Sequence, residues 1–346
     1  MIDLFSDTKT RPTAAMREVM AHAEVGDDHW GEDPTVRRLQ DFLAAKLGFD
    51  AALFLPSATM ANQIAVKIHT DLGDAVICHE DCHINLYEGG TPAALSGVIL
   101  DTLPGPRGVF TGAQVRAKVR PKGMYYPPTK LVCIENTHNY CGGTIWTPED
   151  LEVVETVAKD AGLALHLDGA RLFNAAVKLG GVAGVWEMAH ALTAPFDTVT
   201  ICLTKGLGAP IGALLLGNRA LVEKARRWKH ALGGAMRQSG IVAAGGLHAL
   251  ENHLPLLEND HARAEVLAKG LSEIPGIKLD PWPETNLVFA DVSGTDVSGD
   301  EVRARLRDAG VLCSGSGDRL RFVTHLDISD ENIAEALEII GRVTAR

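Results

Sequence analysis

Between about residue 50 and residue 217, short apolar runs alternate with longer amphipathic stretches. The runs occupy 51–55, 75–78, 98–100, 131–134, 163–167, 198–203 and 213–216, each short and almost free of polar residues. Between them lie helical candidates at 59–69, 148–161 and 172–179. Alternation of this kind predicts an α/β fold with a mostly parallel central sheet covered by helices. Pro148 at a helix start and Gly162 just past its end suit the two termini of a helix.

Near Gly233-Gly234-Ala235-Met236 the rhythm changes. A long helical stretch, 239–274 with a break near Pro255, leads into a strand at 286–291, a helix at 299–309, a strand at 320–323 and a last helix at 329–343. That order predicts a smaller C-terminal α+β domain. The first 20 residues, with Thr10-Arg11-Pro12-Thr13, read as an arm that packs on something larger. The expected organisation is therefore an N-terminal arm (1–20), a large domain (21–238) and a small domain (239–346), with no internal repeat or low-complexity linker.

A hydrophobic share of 46% over 346 residues supplies a sizeable core. The net charge of −11 argues against nucleic acid or an anionic membrane as the main partner. One basic cluster, Arg226-Arg227-Trp228-Lys229-His230, reads by itself as the solvated end of a helix. The start, Met1-Ile2-Asp3-Leu4, lacks the positive charge of a signal peptide, and no apolar run reaches the roughly 18–20 residues of a membrane span. Six scattered cysteines, three in apolar runs (Cys78, Cys133, Cys202), suggest reduced thiols in a cytoplasm. The cluster His79-Glu80-Asp81-Cys82-His83 has no second ligand pair at zinc-like spacing, so no metal is expected.

In an open parallel sheet, ligands bind beyond the carboxyl ends of the strands. The first run is followed by Pro56-Ser57-Ala58-Thr59, opening a helix whose free N–H groups and hydroxyls suit a phosphate. The next is followed by His83 and Tyr87-Glu88-Gly89-Gly90. Later runs end in Glu135-Asn136-Thr137-His138-Asn139, Asp168-Gly169-Ala170-Arg171 and Thr204-Lys205-Gly206-Leu207-Gly208. Singly these are ordinary caps and loop residues. Together they suit pyridoxal 5′-phosphate (PLP): a helix terminus (Ser57, Ala58, Thr59) for its phosphate, Asp168 for its pyridinium nitrogen and Lys205 for its aldehyde as a Schiff base. Gly206-Leu207-Gly208-Ala209-Pro210-Ile211-Gly212 is not a dinucleotide loop, since it departs from G-x-G-x-x-G and holds a proline in the turn. Arg171 and Arg321 are both candidates to grip a substrate carboxylate through two hydrogen bonds, with Ser6 as a third donor. His83 and His138 are the groups able to titrate near neutral pH.

Seven segments resemble the low-specificity L-threonine aldolases. They are Asp3-Leu4-Phe5-Ser6-Asp7-Thr8, Val25-Gly26-Asp27-Asp28, Gly31-Glu32-Asp33-Pro34-Thr35, 135–139, 166–171, 203–208 and Val323-Thr324-His325-Leu326-Asp327. The resemblance runs from residue 2 to beyond 330. It implies fold type I (aspartate aminotransferase-like) architecture and PLP-dependent, reversible cleavage of L-threonine, L-allo-threonine and related β-hydroxy-α-amino acids to glycine and an aldehyde. It further implies a homotetramer with shared active sites, in which the basic segment ending in Arg237 completes a neighbour's phosphate site. By the same resemblance His83 stacks on the pyridine ring, with Tyr87 beside the substrate. His138 is expected to contact the substrate hydroxyl, and Arg321 to bind the carboxylate. Which histidine is the base stays open.

Phe5 stands where the family commonly has Arg, Trp30 where Tyr is usual, Ala58 and Ala61 where glycines are usual, and His230 where some members carry Lys or Arg. None of these removes a group the chemistry requires. Transamination, β-elimination or hydroxymethyl transfer would use the same Lys205 and Asp168, and only products separate them. A vestigial binding domain would have lost Lys205.

Overall fold

The computed structural model describes residues 1–345. Among the described residues, thirteen strands form three sheets. They are β1 (Ile2–Asp3), β2 (Ala51–Leu55), β3 (Ala75–His79), β4 (Ile99–Leu103), β5 (Thr129–Glu135), β6 (Ala164–Gly169), β7 (Thr198–Cys202), β8 (Ala213–Gly217), β9 (Lys278–Leu279), β10 (Leu287–Asp291), β11 (Val311–Leu312), β12 (Ser314–Ser316) and β13 (Arg319–Val323). The seven-stranded sheet has the order β2-β8-β7-β6-β5-β3-β4. Neighbours from β7 to β4 run parallel, while β8 is antiparallel to both β7 and β2. Strands β3, β7 and β8 are buried along their whole length, as expected of a sheet covered on both faces. The α/β architecture expected from the alternating runs is what forms.

Local chemistry sets the covering helices. Thr147 caps Pro148–Ala161 through a reciprocal pair with Asp150, and Gly162 ends it at φ 70°. Ser57 caps Ala58–His69 by accepting Met60 N–H. The sequence pattern did not delimit Pro34–Leu47, which starts on an Asp33 cap and supplies Val36, Leu39 and Leu43 to the core.

The smaller sheet, β12-β13-β10-β9, is antiparallel and backed by the helices Leu257–Ser272, Gly299–Asp308 and Asp330–Thr344. Two features move the expected domain limits. The helix Gly240–Asn252 puts Ala243, Leu247 and Leu250 into the larger core, not the smaller. Its glycines allow the approach: a Cβ on Gly246 would lie 2.5 Å from Leu203 Cδ1. The N-terminal arm is divided as well. β1 pairs in parallel with β11, and Ile2 and Leu4 belong to the smaller core, whereas Met16 belongs to the larger one. Between these anchors the chain crosses the carboxyl edge of the large sheet. Among the described residues, no helix is long and apolar enough to cross a membrane.

Candidate active site

Adjacent strands β5, β6 and β7 carry Glu135, Asp168 and Lys205 at or just past their carboxyl ends. Lys205 has φ 62°, a conformation shared by one other non-glycine among the described residues, Arg107. A non-glycine held there marks a locally imposed geometry. Here Thr10 Oγ1 donates to Lys205 O at 2.8 Å, fastening the arm to this turn, and Gly208 closes the turn at φ 77°.

Asp168 is buried and fixed on both oxygens. Asn62 Nδ2 donates to Oδ2 at 2.7 Å, and Ala170 N–H to Oδ1 at 3.1 Å. Asn62 Nδ2 also reaches Glu88 Oε1 at 3.0 Å, and that oxygen lies 2.8 Å from His83 Nδ1. Gln63 Nε2 holds the other Glu88 oxygen. Four side chains from three segments thus form one chain of hydrogen bonds, His83–Glu88–Asn62–Asp168. Burial pulls the His83 imidazolium down, but the Glu88 hydrogen bond and the Asp168 and Glu135 carboxylates outweigh it. Its pKa stands above the usual value. Burial, with Asp168 close by, pushes the Glu135 carboxyl up, although it accepts N–H groups from His83 (2.6 Å) and Asn139 (2.8 Å).

The donor set fits PLP. Asp168 is an acceptor already oriented by two donors, as a pyridinium partner must be. Lys205 supplies the amine, and the start of the helix Ala58–His69 supplies N–H groups beside Ser57 and Thr59. Ala58 begins the helix without a positive φ, so the backbone conformation there does not require a glycine.

Ser6, Tyr87, Asn139 and Arg321 line one cavity of about 330 Å3 with Phe5, Tyr140, Phe289 and Arg319. Arg321 donates to Asn139 Oδ1 at 2.8 Å and to Phe5 O at 3.3 Å, while its buried Nε has no partner. Burial, with Arg171 adding to it, lowers the guanidinium to about 10. Ser6 caps the turn at Asp7–Lys9, and the Tyr87 ring lies 5.7 Å from that of His83. Arg171 does not share this role equally. Its Nε and Nη2 both go to Asp7 at 2.7 Å, and both residues are buried. The two-pronged grip expected on a substrate is already taken.

Two further expectations change. His138 is fully buried, neither ring nitrogen has a partner, and it does not line the cavity. Its backbone bridges to Thr144, which folds it edge-on against His79 at 4.7 Å. Burial and His79 push its pKa down to about 3. Arg237 donates to Asp27 Oδ2 at 2.9 Å, so within one chain it ties two surface segments together. The sequence alone assigned no role to Glu88, Asn62 or Asp7. Glu88 meets His83 5 residues away, but Asn62 reaches Glu88 across 26 residues and Asp168 across 106, and Asp7 reaches Arg171 across 164, beyond any local pattern.

A family model described as beta-eliminating lyase matches residues 3–295. Low-specificity L-threonine aldolase 1 of Arabidopsis thaliana is 42% identical over 339 residues, covering 96% of this chain and 93% of that protein. Low specificity L-threonine aldolase of Escherichia coli (strain K12) is 40% identical over 338 residues, covering 97% of each. A solved Leishmania major threonine aldolase superposes with a TM-score of 0.84 at 23% identity over the whole of both chains, which speaks for the fold.

Proposed function

The chain belongs to the low-specificity L-threonine aldolase family, within the beta-eliminating lyases, and from that premise we propose that it is a PLP-dependent lyase cleaving L-threonine and related β-hydroxy-α-amino acids to glycine and an aldehyde. The observation that carries the residue assignment is the row of strand ends β5–β6–β7, which sets Glu135, Asp168 and Lys205 side by side. When bound, PLP supplies a protonated ring into which the electrons of a breaking Cα bond can spread.

Lys205 would hold the cofactor aldehyde, Asp168 would keep its ring nitrogen protonated, and the helix start at Ser57, Ala58 and Thr59 would hold its phosphate. Arg321 would grip the substrate carboxylate with Ser6 nearby, and so select which Cα bond is presented for cleavage. His83 takes the β-hydroxyl proton on Nε2. Glu88 accepts from Nδ1, which fixes the tautomer and leaves Nε2 available. Tyr87 closes the substrate side, and Asp7 engages Arg171 so that it orders the arm.

The reading includes a homotetramer in the cytoplasm, with the basic helix Arg219–Ala231 and Arg237 facing a neighbouring subunit. What supports the interface is a recess of about 380 Å3 lined by His29, Arg226, Arg227 and His230. What supports the compartment is that all six cysteines are free thiols. The deciding experiment incubates the purified protein with PLP and L-threonine. Equimolar glycine and acetaldehyde support the aldolase reading; ammonia and 2-oxobutanoate would replace it with β-elimination.

A further inference from the structure

The cavity that holds Arg321 is larger than the methyl group of threonine requires. At about 330 Å3 it lies within the range of small-molecule sites, about 300–1,000 Å3. It also holds a second guanidinium. Arg319 and Arg321 sit at alternate positions of β13, so their side chains leave the same face about 6.5–7 Å apart. Arg319 is held in place: its guanidinium carbon lies 3.9 Å from the centroid of Phe289 and 5.0 Å from that of Tyr140, and Nη2 donates to Tyr140 O at 2.9 Å. The neighbouring Asp318 is engaged elsewhere, accepting Gly299 N–H at 2.8 Å. A cation fixed by two rings and one carbonyl keeps donors for a ligand without paying to order them. The cavity reaches Tyr87, whose ring packs on His83, so it extends from the carboxylate clamp to the side of the substrate that departs.

We infer that this cavity is a subsite for the group on the departing aldehyde, and that Arg319 makes it selective for a carboxylate there. The substrate class is then the β-hydroxy-α-amino diacids, which Arg321 and Arg319 would hold at their two ends. This rests on the aldolase reading. With β-hydroxyaspartate, the Cα–Cβ bond breaks and its electron pair stays with Cα, which takes up a proton. The β-hydroxyl loses its proton and becomes a carbonyl, so glycine and glyoxylate form with no net oxidation or reduction.

The test compares kcat/KM of the holoenzyme for both diastereomers of β-hydroxyaspartate, for L-threonine and for β-phenylserine, in wild type, Arg319→Gln and Arg319→Lys. A diacid-to-threonine ratio that exceeds one in wild type, falls about tenfold or more in Arg319→Gln and is largely kept in Arg319→Lys supports the subsite. Cleavage of L-threonine without cleavage of either diacid overturns it, as does a Gln variant that lowers all substrates alike. A calorimetric arm reads binding alone. Wild-type protein should bind succinate more tightly than butyrate, and Arg319→Gln should erase that preference. If no substrate is cleaved, the aldolase reading fails. The succinate preference then still decides whether Arg319 receives a second carboxylate, and equal binding of the two acids would reject it.

Discussion

Asp7 and Arg171, 164 residues apart, form a bidentate ion pair with both contacts at 2.7 Å, sealed from solvent beneath the N-terminal arm. Burial works against the Asp7 carboxylate, yet the Arg171 guanidinium holds its pKa well below the usual carboxylate range. Removing one partner of such a pair strands the other's charge. Asp7→Asn should therefore cost about 3–5 kcal/mol in urea unfolding. The penalty has a defined pH window. A depressed folded-state pKa stabilises above the unfolded carboxylate value, about 4, and that stability is lost as pH falls toward the folded value. The gap between wild type and Asp7→Asn should be complete at neutral pH and narrow below about pH 4. A gap constant down to pH 2 would mean the pair is not the source.

Glu88 fixes the charge and tautomer of His83, and the shift is readable in the protein itself. With Glu88→Gln the main interaction raising the His83 pKa becomes a neutral one, while Asp168 and Glu135 remain. The NMR titration midpoint of the His83 ring should move to lower pH than in wild type. The limb of the kcat/KM profile that follows this histidine should move the same way. An unmoved midpoint would assign the raised pKa to Asp168 and Glu135 alone.

On the proposed reading, Lys205 anchors the cofactor and Asp168 tunes its ring. Borohydride treatment of the PLP-loaded protein should leave the pyridoxyl group on Lys205 in peptide mapping; recovery on another lysine would reject the assignment. Asp168→Asn is isosteric, but with one oxygen it can accept from only one of Asn62 and Ala170 and turns its NH2 toward the other donor, and it loses a charge-assisted hydrogen bond, about 1.5–3 kcal/mol. Turnover should fall much further than PLP affinity, compared by fluorescence titration and single-turnover rates.

The alternation of apolar runs and helices made the large sheet legible, and the polar tails of those runs exposed Lys205, Asp168 and His83, because chemistry at a strand end follows directly in sequence. Arg321 was legible from its strand and from the resemblance. What stayed hidden was assembled across the chain. Asn62 faces Glu88 and Asp168 only once a helix packs on the sheet, and Arg171 meets Asp7 only when the arm returns across it. His83 and His138 look equivalent as written, each following an apolar run. Their fates diverge because His83 begins a short helix beside Glu88, whereas His138 is drawn inward by its bridge to Thr144. The helix Gly240–Asn252 misled for a similar reason: the change of rhythm marks a change of connection, while Gly245 and Gly246 keep the helix against the larger core.

His138 is the sharpest test of sequence against geometry. The family resemblance implied that it contacts the substrate hydroxyl. Its burial, the His79 ring 4.7 Å away and a pKa near 3 describe a neutral packing residue. Gly108 confines it too, since a Cβ there would lie 2.5 Å from the ring. Neither ring nitrogen has a partner within the chain, and a buried polar atom left without one costs about 1–3 kcal/mol. His138→Leu, similar in volume and without those nitrogens, should therefore leave the apo protein as stable as wild type or more so, read from the urea midpoint. The ratio of L-threonine to L-allo-threonine kcat/KM should stay within about twofold, well below the 1.4 kcal/mol that a tenfold change represents. A large shift in that ratio, with stability unchanged, would put His138 back in contact with the reacting hydroxyl and require the turn at 136–144 to open during catalysis.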